Sequence, residues 1–371
     1  MAWTTPAPPP AAAPTPRYGI RGAGPADLEE LLALARHLNT VNLPHDRGYV
    51  TRLLEHSAAS FSGRIEDPWL RRYVFIVHDD QEGRAVGTSS LVAQLGNRDA
   101  PYIFLDVLEE QKYSATLDKH FAHTVLRLGF SYDGPTELAG LVVDPAYRGV
   151  PERLGFAVSY VRFLFIAAHP HLFREELLAE LLPPLEPDGT SHLWEALGRR
   201  FTDMSYAEAD RLSSEDKTFI RDLFPSGSIY ASLLAPDAQA VIGCVGERTR
   251  GVERMLMRAG FHYAHRIDPF DGGPHFVADQ RDVLPIRATE RRAAVLGDSS
   301  AVDKTVPALV GRDLPTPPFF TAYPTQVTLS DEGLVSLDPG VLRALDADPG
   351  CPVWVLRLDL PPHSVRSRKR R

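Results

Sequence analysis

Cysteine is nearly missing from this sequence, which holds only Cys244 and Cys351 in 371 residues. They stand far apart, without the paired spacing of a disulfide framework or a zinc site, and read as two buried thiols. Also missing is any run of the roughly 18 to 20 apolar residues that a membrane span requires. The start of the chain has neither the basic residues nor the apolar stretch of a secretory leader, so the expectation is a cytoplasmic protein with no membrane partner. Positive charge is not in excess either. Forty Lys and Arg against 48 Asp and Glu give a formal net charge of −8, which argues against a nucleic-acid partner and makes the basic end RSRKRR a frayed tail (361–371).

What is present is an ordinary globular composition, 44% hydrophobic and 24% charged, in a chain long enough for two domains or one core with large insertions. The first sixteen residues are almost all Ala, Pro and Thr and are expected to form a disordered lead (1–16). From Arg17 a short strand, a Gly/Pro turn and a helix opened by Asp27 follow, with Leu28, Leu31, Leu32, Ala35 and Leu38 on one face. Arg71 to Leu95 reads as a hairpin turning at DDQEGR, and PYIFLDV as a further strand before a polar stretch from Glu109 to Gly134. A buried strand then runs into a Pro/Gly loop and a long helix with Leu154, Val158, Val161, Phe165 and Ala168 at helical spacing. LLAELLPP reads as the next strand, HLWEALGRRF and YAEADRLSSEDKTFIRDLF as helices and IYASLL as a short strand. The pattern predicts an α+β fold with helices on both faces of a mostly antiparallel sheet.

LWEALGRRFTDM and MLMRAGFHYAHR both read as a helix ending on glycine and entering a strand through an aromatic residue, which suggests a partial duplication. The expected division is 17–204, a main α+β domain; 205–287, a second half-domain; 288–305, a linker; and 306–360, a small β-rich C-terminal unit with one helix.

The stretch Val142 to Gly155, VVDPAYRGVPERLG, carries the clearest chemistry. A strand that feeds a loop and then a helix N-terminus offers converging backbone N–H groups to an anion such as a pyrophosphate. Arg148 and Gly149 supply charge and close backbone approach, and Arg153, Leu154 and Gly155 begin the helix; an ordinary turn with solvated arginines is the competing reading. VDP-x-Y-R-G after a buried strand resembles motif A of the GNAT acyltransferase superfamily, whose members hold acyl-CoA in that loop. TELAGLVVDPAYR, VRFLFIAAHP, LLAELLPP, LWEALGRRF, AQAVIG and above all IDPFDGGPHF resemble the arginine N-succinyltransferase family over about Arg17 to Arg287.

The resemblance implies a GNAT-type acyl-CoA N-acyltransferase fold and transfer of a succinyl group from succinyl-CoA to the α-amine of L-arginine or ornithine, in arginine catabolism. It implies no metal, small-molecule partners, and a homo- or hetero-oligomer as one possibility. It also aligns Leu141 with a position that contacts succinyl-CoA, next to Val143 on the same strand. Against it, IGCVGERT places Gly246 where the family carries a proton-donating histidine.

Three replacements are available: Glu137, at the start of the strand leading to the loop; His275, among the glycines of DGGPHF; and the pair His262 and His265, which stand either side of Tyr263 on an expected strand and read better as structural histidines. Each also reads as a structural residue. Asp268 and Asp271 offer carboxylates to a guanidinium, or cap their own turn. Arg199 and Arg200 are candidates for the succinyl carboxylate on composition alone. Other readings remain: an acyl-CoA transferase with a different amine or acyl group, or a CoA-binding homologue without turnover.

Overall fold

Strand β1 (Tyr18–Gly22) lies inside a fifteen-stranded sheet; the computed structural model describes residues 15–36, 43–97, 100–213, 216–297 and 305–361. Most of the expected lead, Leu38 and the basic tail lie outside the described residues. Helix α1 (Leu28–Ala35) buries Leu31, Leu32 and Ala35. Asp27 precedes it without capping it, since its carboxylate accepts from Arg21 and from the Gly24 amide. Helix α2 (Arg47–Phe61), absent from the sequence reading, starts at Asp46, whose side chain accepts from the Tyr49 amide at 2.6 Å.

β2 (Arg72–Asp79) and β3 (Arg84–Val92) form the expected hairpin. Successive side chains of a strand point to opposite faces. Tyr73, Phe75 and Val77 therefore join one core while Val74 and Ile76 join α1 and α2 in another. The stretch from Glu109 to Gly134, expected as a polar connection, belongs largely to a second hairpin. Its strands β4 (Tyr102–Ser114) and β5 (Lys119–Ser131) pair from Tyr102↔Ser131 to Ser114↔Lys119. The outer half is exposed on both faces, so it has no apolar alternation for a sequence reading to detect.

β6 (Thr136–Val143) leads to α3 (Leu154–Ala168) and β7 (Glu176–Glu180). From Ala157 to Ile166 every side chain of α3 is buried. Phe165 sits among Phe61, Tyr73, Phe75, Phe173 and Phe320, with ring centroids 4.9 to 6.0 Å away. Four short helices follow: α4 (His192–Ala196), α5 (Gly198–Thr202), α6 (Tyr206–Ser213) and α7 (Thr218–Leu223). Then come β8 (Ile229–Tyr230), α8 (Pro236–Val241), α9 (Arg250–Ala259), β9 (His262–Ile267), β10 (Pro274–Asp279) and α10 (Leu284–Arg287).

The two segments compared as repeats differ here. α9 ends at Gly260 and enters β9 through Phe261, but Phe201 lies inside α5 and the chain passes to α6 without a strand. Cys244, in the turn after α8, is exposed and Cys351 half-buried, which corrects the reading of both as buried thiols.

Residues 288–305, expected as a linker, contain β11 (Thr289–Leu296), which pairs with strands on both sides. The others are β12 (Val306–Asp313), β13 (Phe320–Leu329), β14 (Leu334–Leu337) and β15 (Pro352–Arg357), with α11 (Pro339–Ala344) between the last two. The pairings β11·β14, β14·β13, β13·β12, β12·β15 and β15·β11 close a ring. Val310, Val335, Val353 and the Val341 and Leu345 side chains pack within one cluster there. β13 also pairs with β1, so the ring is continuous with the main sheet. Only β6·β7 and β11·β14 pair in parallel among the described strands, and the fold is α+β with a mostly antiparallel sheet. No helix among the described residues is long and apolar enough to cross a membrane.

Replacing Phe165 with Ala empties the aromatic cluster that joins α3 to β2 and β13, and is expected to cost about 3 to 5 kcal/mol. Urea unfolding of the purified variant checks this, and a midpoint equal to wild type would refute it.

Candidate active site

The parallel pair β6·β7 is short. It holds at Thr136↔Leu177 and Glu137↔Leu178, after which β6 follows β3 and β7 follows β10. The divergence begins at a bulge. Gly140 has φ +57, the β3·β6 register shifts between Thr88 and Ser90, and an added Cβ would meet Ser90 Oγ at 2.9 Å. Glycine adopts this left-handed backbone without the strain of other residues. Between the parted strands lies a cavity of about 190 Å³, bounded by Glu137 to Leu141 of β6, Ala179 to Leu182 at the end of β7, and Arg162 of α3. Its remaining wall comes from α6, from Lys217 before α7, from α9, and from the turn Asp268–Asp271.

Five carboxylates line this space, Glu137, Glu180, Asp210, Asp268 and Asp271, against two cations, Arg162 and Lys217. Burial pushes the Glu180 carboxyl well above the usual range, and the charges of Glu137 and Asp268 push it further. Burial and then Asp268 do the same to Asp271. Asp268 is raised by burial, although Lys217 and two backbone amides oppose the shift. Asp210 is pushed up to about 7 by burial and by Asp268. Removing an ion from water disfavours its charged form, and like charges add to the effect. Arg162 is fully buried in α3 and lowered to about 9 by that burial, with Glu137 opposing.

Behind Glu180 stands His275, on the facing residue of β10 and completely buried. Its Nδ1 shares a 2.7 Å hydrogen bond with the Tyr102 hydroxyl. Its Nε2 lies 3.5 Å from Glu180 Oε1 and has no hydrogen-bond partner among the described residues. Burial lowers the imidazole to about 3, aided by Arg266 and Lys217, so it is neutral. Glu180, Asp268 and His275 bring one potential ligand atom each within 4.8 Å of the others, but Asp268 Oδ1 already accepts from the Phe270 and Asp271 amides.

The loop after β6 is held from the side of the β2·β3 hairpin. Arg17 binds Asp79 through two nitrogens at 2.7 to 3.1 Å, and the Tyr147 hydroxyl donates to the same carboxylate at 3.2 Å. Arg84 pairs with Asp144 at 2.9 Å and lies over the Tyr147 ring. Arg148 is exposed and donates through Nε to the Val143 carbonyl; Gly149 is exposed with nothing near its Cβ position. Arg153 takes the left-handed φ of +53 just before α3, with its guanidinium over Phe156. Leu154 and Gly155 then open the helix, where the first amides have no intrahelical acceptor.

The structure thus gathers Glu137, Leu141, Asp268 and Asp271 in one cavity and puts Val143, Arg148, Gly149, Arg153, Leu154 and Gly155 at the adjoining loop and helix start. His275 sits one layer behind. Asp271 Oδ1 accepts from the Gly273 amide at 2.7 Å, so both turn aspartates cap the backbone while lining the cavity. Arg199 and Arg200 are exposed, Arg199 paired with Glu195 of the preceding helix α4, and neither lines the cavity. Sequence reasoning missed Arg162, Glu180, Asp210 and Lys217. The signal for two of them was a lone charge inside an apolar run, Arg162 in SYVRFLFIAA and Glu180 in LLAELLPP.

A family model described as arginine N-succinyltransferase beta subunit matches residues 18–284. The arginine N-succinyltransferase of Yersinia pseudotuberculosis serotype O:3 (strain YPIII) is 31% identical over 350 residues, covering 92% of this chain and 98% of that one. The arginine N-succinyltransferase of Salmonella paratyphi B is 33% identical over 271 residues, 72% of this chain and 78% of that one. Among solved structures, the arginine/ornithine succinyltransferase subunit AI from Pseudomonas aeruginosa superposes with a TM-score of 0.80 at 26% identity, over 92% of this chain and 99% of that one.

Two outcomes are expected. Folded Asp210 holds its proton up to about pH 7, whereas an unfolded aspartate releases it near ~4. The native state therefore binds more protons in this window, and stability falls as pH rises from about 4 to about 7. Urea unfolding at pH 5 and 7.5 should show this fall and a smaller one in Asp210→Asn. Gly246→His should destabilise the fold rather than supply a proton donor, because a Cβ there meets the Pro183 carbonyl oxygen at 2.6 Å. A variant with unchanged melting temperature and raised turnover would contradict this.

Proposed function

From a chain that belongs to the arginine N-succinyltransferase family and is an acyltransferase, we propose a reaction at the parted strands that carries the succinyl group of succinyl-CoA to the α-amine of L-arginine or ornithine. The observation that carries this reading is the carboxyl-rich lining of the cavity. Five carboxylates against two cations suit an acceptor with an ammonium and a guanidinium, since buried carboxylates are stabilised by a paired cation and a guanidinium takes a carboxylate through two hydrogen bonds. Asp268 and Asp271 are the assigned partners of that cation.

The donor is read along β6. Gly140 and Leu141 have no paired residue in either neighbouring strand's register, so the backbone at Leu141 is open to the thioester and to its developing oxyanion. Val143, Arg148, Gly149, Arg153, Leu154 and Gly155 would hold the pyrophosphate where α3 begins. The core up to residue 287 is read as GNAT-type, with 17–204 supplying the CoA side, 205–287 the far wall as a second half-domain, and the ring of strands an appendage. Only α9 and β9 support the partial duplication.

In the reaction, the amine nitrogen attacks the thioester carbonyl, the C–S bond breaks, and the amine's proton and the thiolate must both be managed. Glu137, beside the Arg162 cation, is the proton acceptor. Glu180, kept protonated by burial and by Glu137 and Asp268, gives its proton to the departing sulfur. Two carboxyls whose surroundings differ can divide base and acid roles in this way. His275, whose neutral Nε2 lies 3.5 Å from Glu180 Oε1, acts through Glu180 by setting its surroundings.

Thiol release from succinyl-CoA with a panel of amines tests the assignment. Arginine or ornithine should be the acceptor, and turnover with some other amine alone would sink the substrate assignment. Glu137→Gln and Glu180→Gln should each lower kcat by about 10²-fold or more. Wild-type kcat should fall as pH rises through the raised Glu180 range. Glu180→Gln should lose that limb, and His275→Gln should shift it.

A further inference from the structure

Resting on the succinyl-transfer reading, we propose that Arg162 is the receptor for the distal carboxylate of the acyl group, and is therefore the residue that makes the cavity prefer a dicarboxylic thioester to a neutral one. A guanidinium in the middle of an apolar helix is costly to bury, and this one is 2% exposed. The Glu137 charge favours it, but its own hydrogen bonds do not saturate it. Nε donates to the Ser159 carbonyl at 3.1 Å and Nη2 to Ser159 Oγ at 2.7 Å, both one turn back on the same helix. Nη1 reaches only the Ala139 carbonyl, at 3.4 Å. A guanidinium has five N–H donors, so one on each terminal nitrogen has no acceptor among the described residues, and Arg162 lines the cavity.

The other cation is differently engaged. Lys217 is half-buried and its charge acts on Glu180, Asp210 and Asp268 together, which places it with the carboxylates on the acceptor side. Arg162 lies against β6, bonded to Ala139 next to the bulge at Gly140, on the strand assigned to the thioester. A carboxylate arriving there would meet a fixed fork already aligned by Ser159, the arrangement that recognises a planar anion through paired hydrogen bonds. The α-carboxylate of the amino-acid acceptor has the same chemistry, and the test separates the two.

Steady-state kinetics of wild type, Arg162→Lys and Arg162→Gln are compared with succinyl-CoA and butyryl-CoA as donors, the second having the same chain length without the carboxylate. Arginine and agmatine serve as acceptors, agmatine lacking the α-carboxylate. The succinyl to butyryl ratio of kcat/KM should fall by about tenfold or more in Arg162→Gln, the size of a lost charge-assisted hydrogen bond, and by less in Arg162→Lys, while the arginine to agmatine ratio holds. An unchanged donor ratio, or a collapse of the acceptor ratio instead, overturns the proposal. Should Arg162→Gln fail to fold, Arg162→Lys, which keeps the charge and loses the planar fork, carries the same comparison. A wild-type protein that does not use succinyl-CoA overturns the functional reading itself, whereas an active wild type with an unshifted ratio overturns only the role of Arg162.

Discussion

The site exists because two parallel strands stop pairing. β6 and β7 share register at two positions, and the left-handed turn of the backbone at Gly140 carries β6 away. Strand backbone that loses its neighbour must find other partners for its N–H and C=O groups, and beyond Glu137 β6 has no register partner in β7. The same divergence makes the space into which Glu137 points from one strand and Glu180 from near the end of the other. Were the two strands zipped to their ends, the carboxylates would have no cavity to line and α3 would begin against closed sheet.

Around that opening the protein tolerates an electrostatic arrangement that works against its own stability. Four of the five carboxyls have their pKa raised by burial, and three of these, Glu180, Asp210 and Asp271, are raised further by neighbouring carboxylates. Such a cluster is tolerable when a cation of the right shape arrives, and uncomfortable otherwise. The surrounding fold offsets the strain with apolar packing: the aromatic cluster at Phe165 on one side of the sheet, and Trp194 stacked on Phe270 at 5.1 Å beneath the Asp268–Asp271 turn. Loss of that packing would act on the site as well as on the core.

How much of this was legible beforehand follows from what leaves a pattern in one dimension. The α3 helix and the β2·β3 hairpin were legible because their apolar spacing reports burial directly. The outer half of β4·β5 was not, because strands exposed on both faces have no alternation to report. β11 was taken for a linker because its polar and small residues depend on pairing with β14 and β15, which lie far along the chain. At the site, Glu137, Leu141, Asp268 and Asp271 were within reach of motif reading. Arg162 and Glu180 were passed over because their helix and strand were read for their apolar residues. The charge that interrupts a buried run was the informative letter. Gly246 became intelligible only in three dimensions, where the backbone of Pro183 occupies the place of a side chain.

The joining of β1 to β13 has a consequence for how the protein comes into being. Ile20 pairs with Ala322 and Arg21 with Thr321, so β1 lacks one neighbour until about three hundred further residues have left the ribosome. Contacts so distant in sequence form slowly, and an unpaired strand edge is open to wrong partners meanwhile. The nascent chain can assemble the walls of its cavity early, but the sheet behind them is completed only when the last strands arrive.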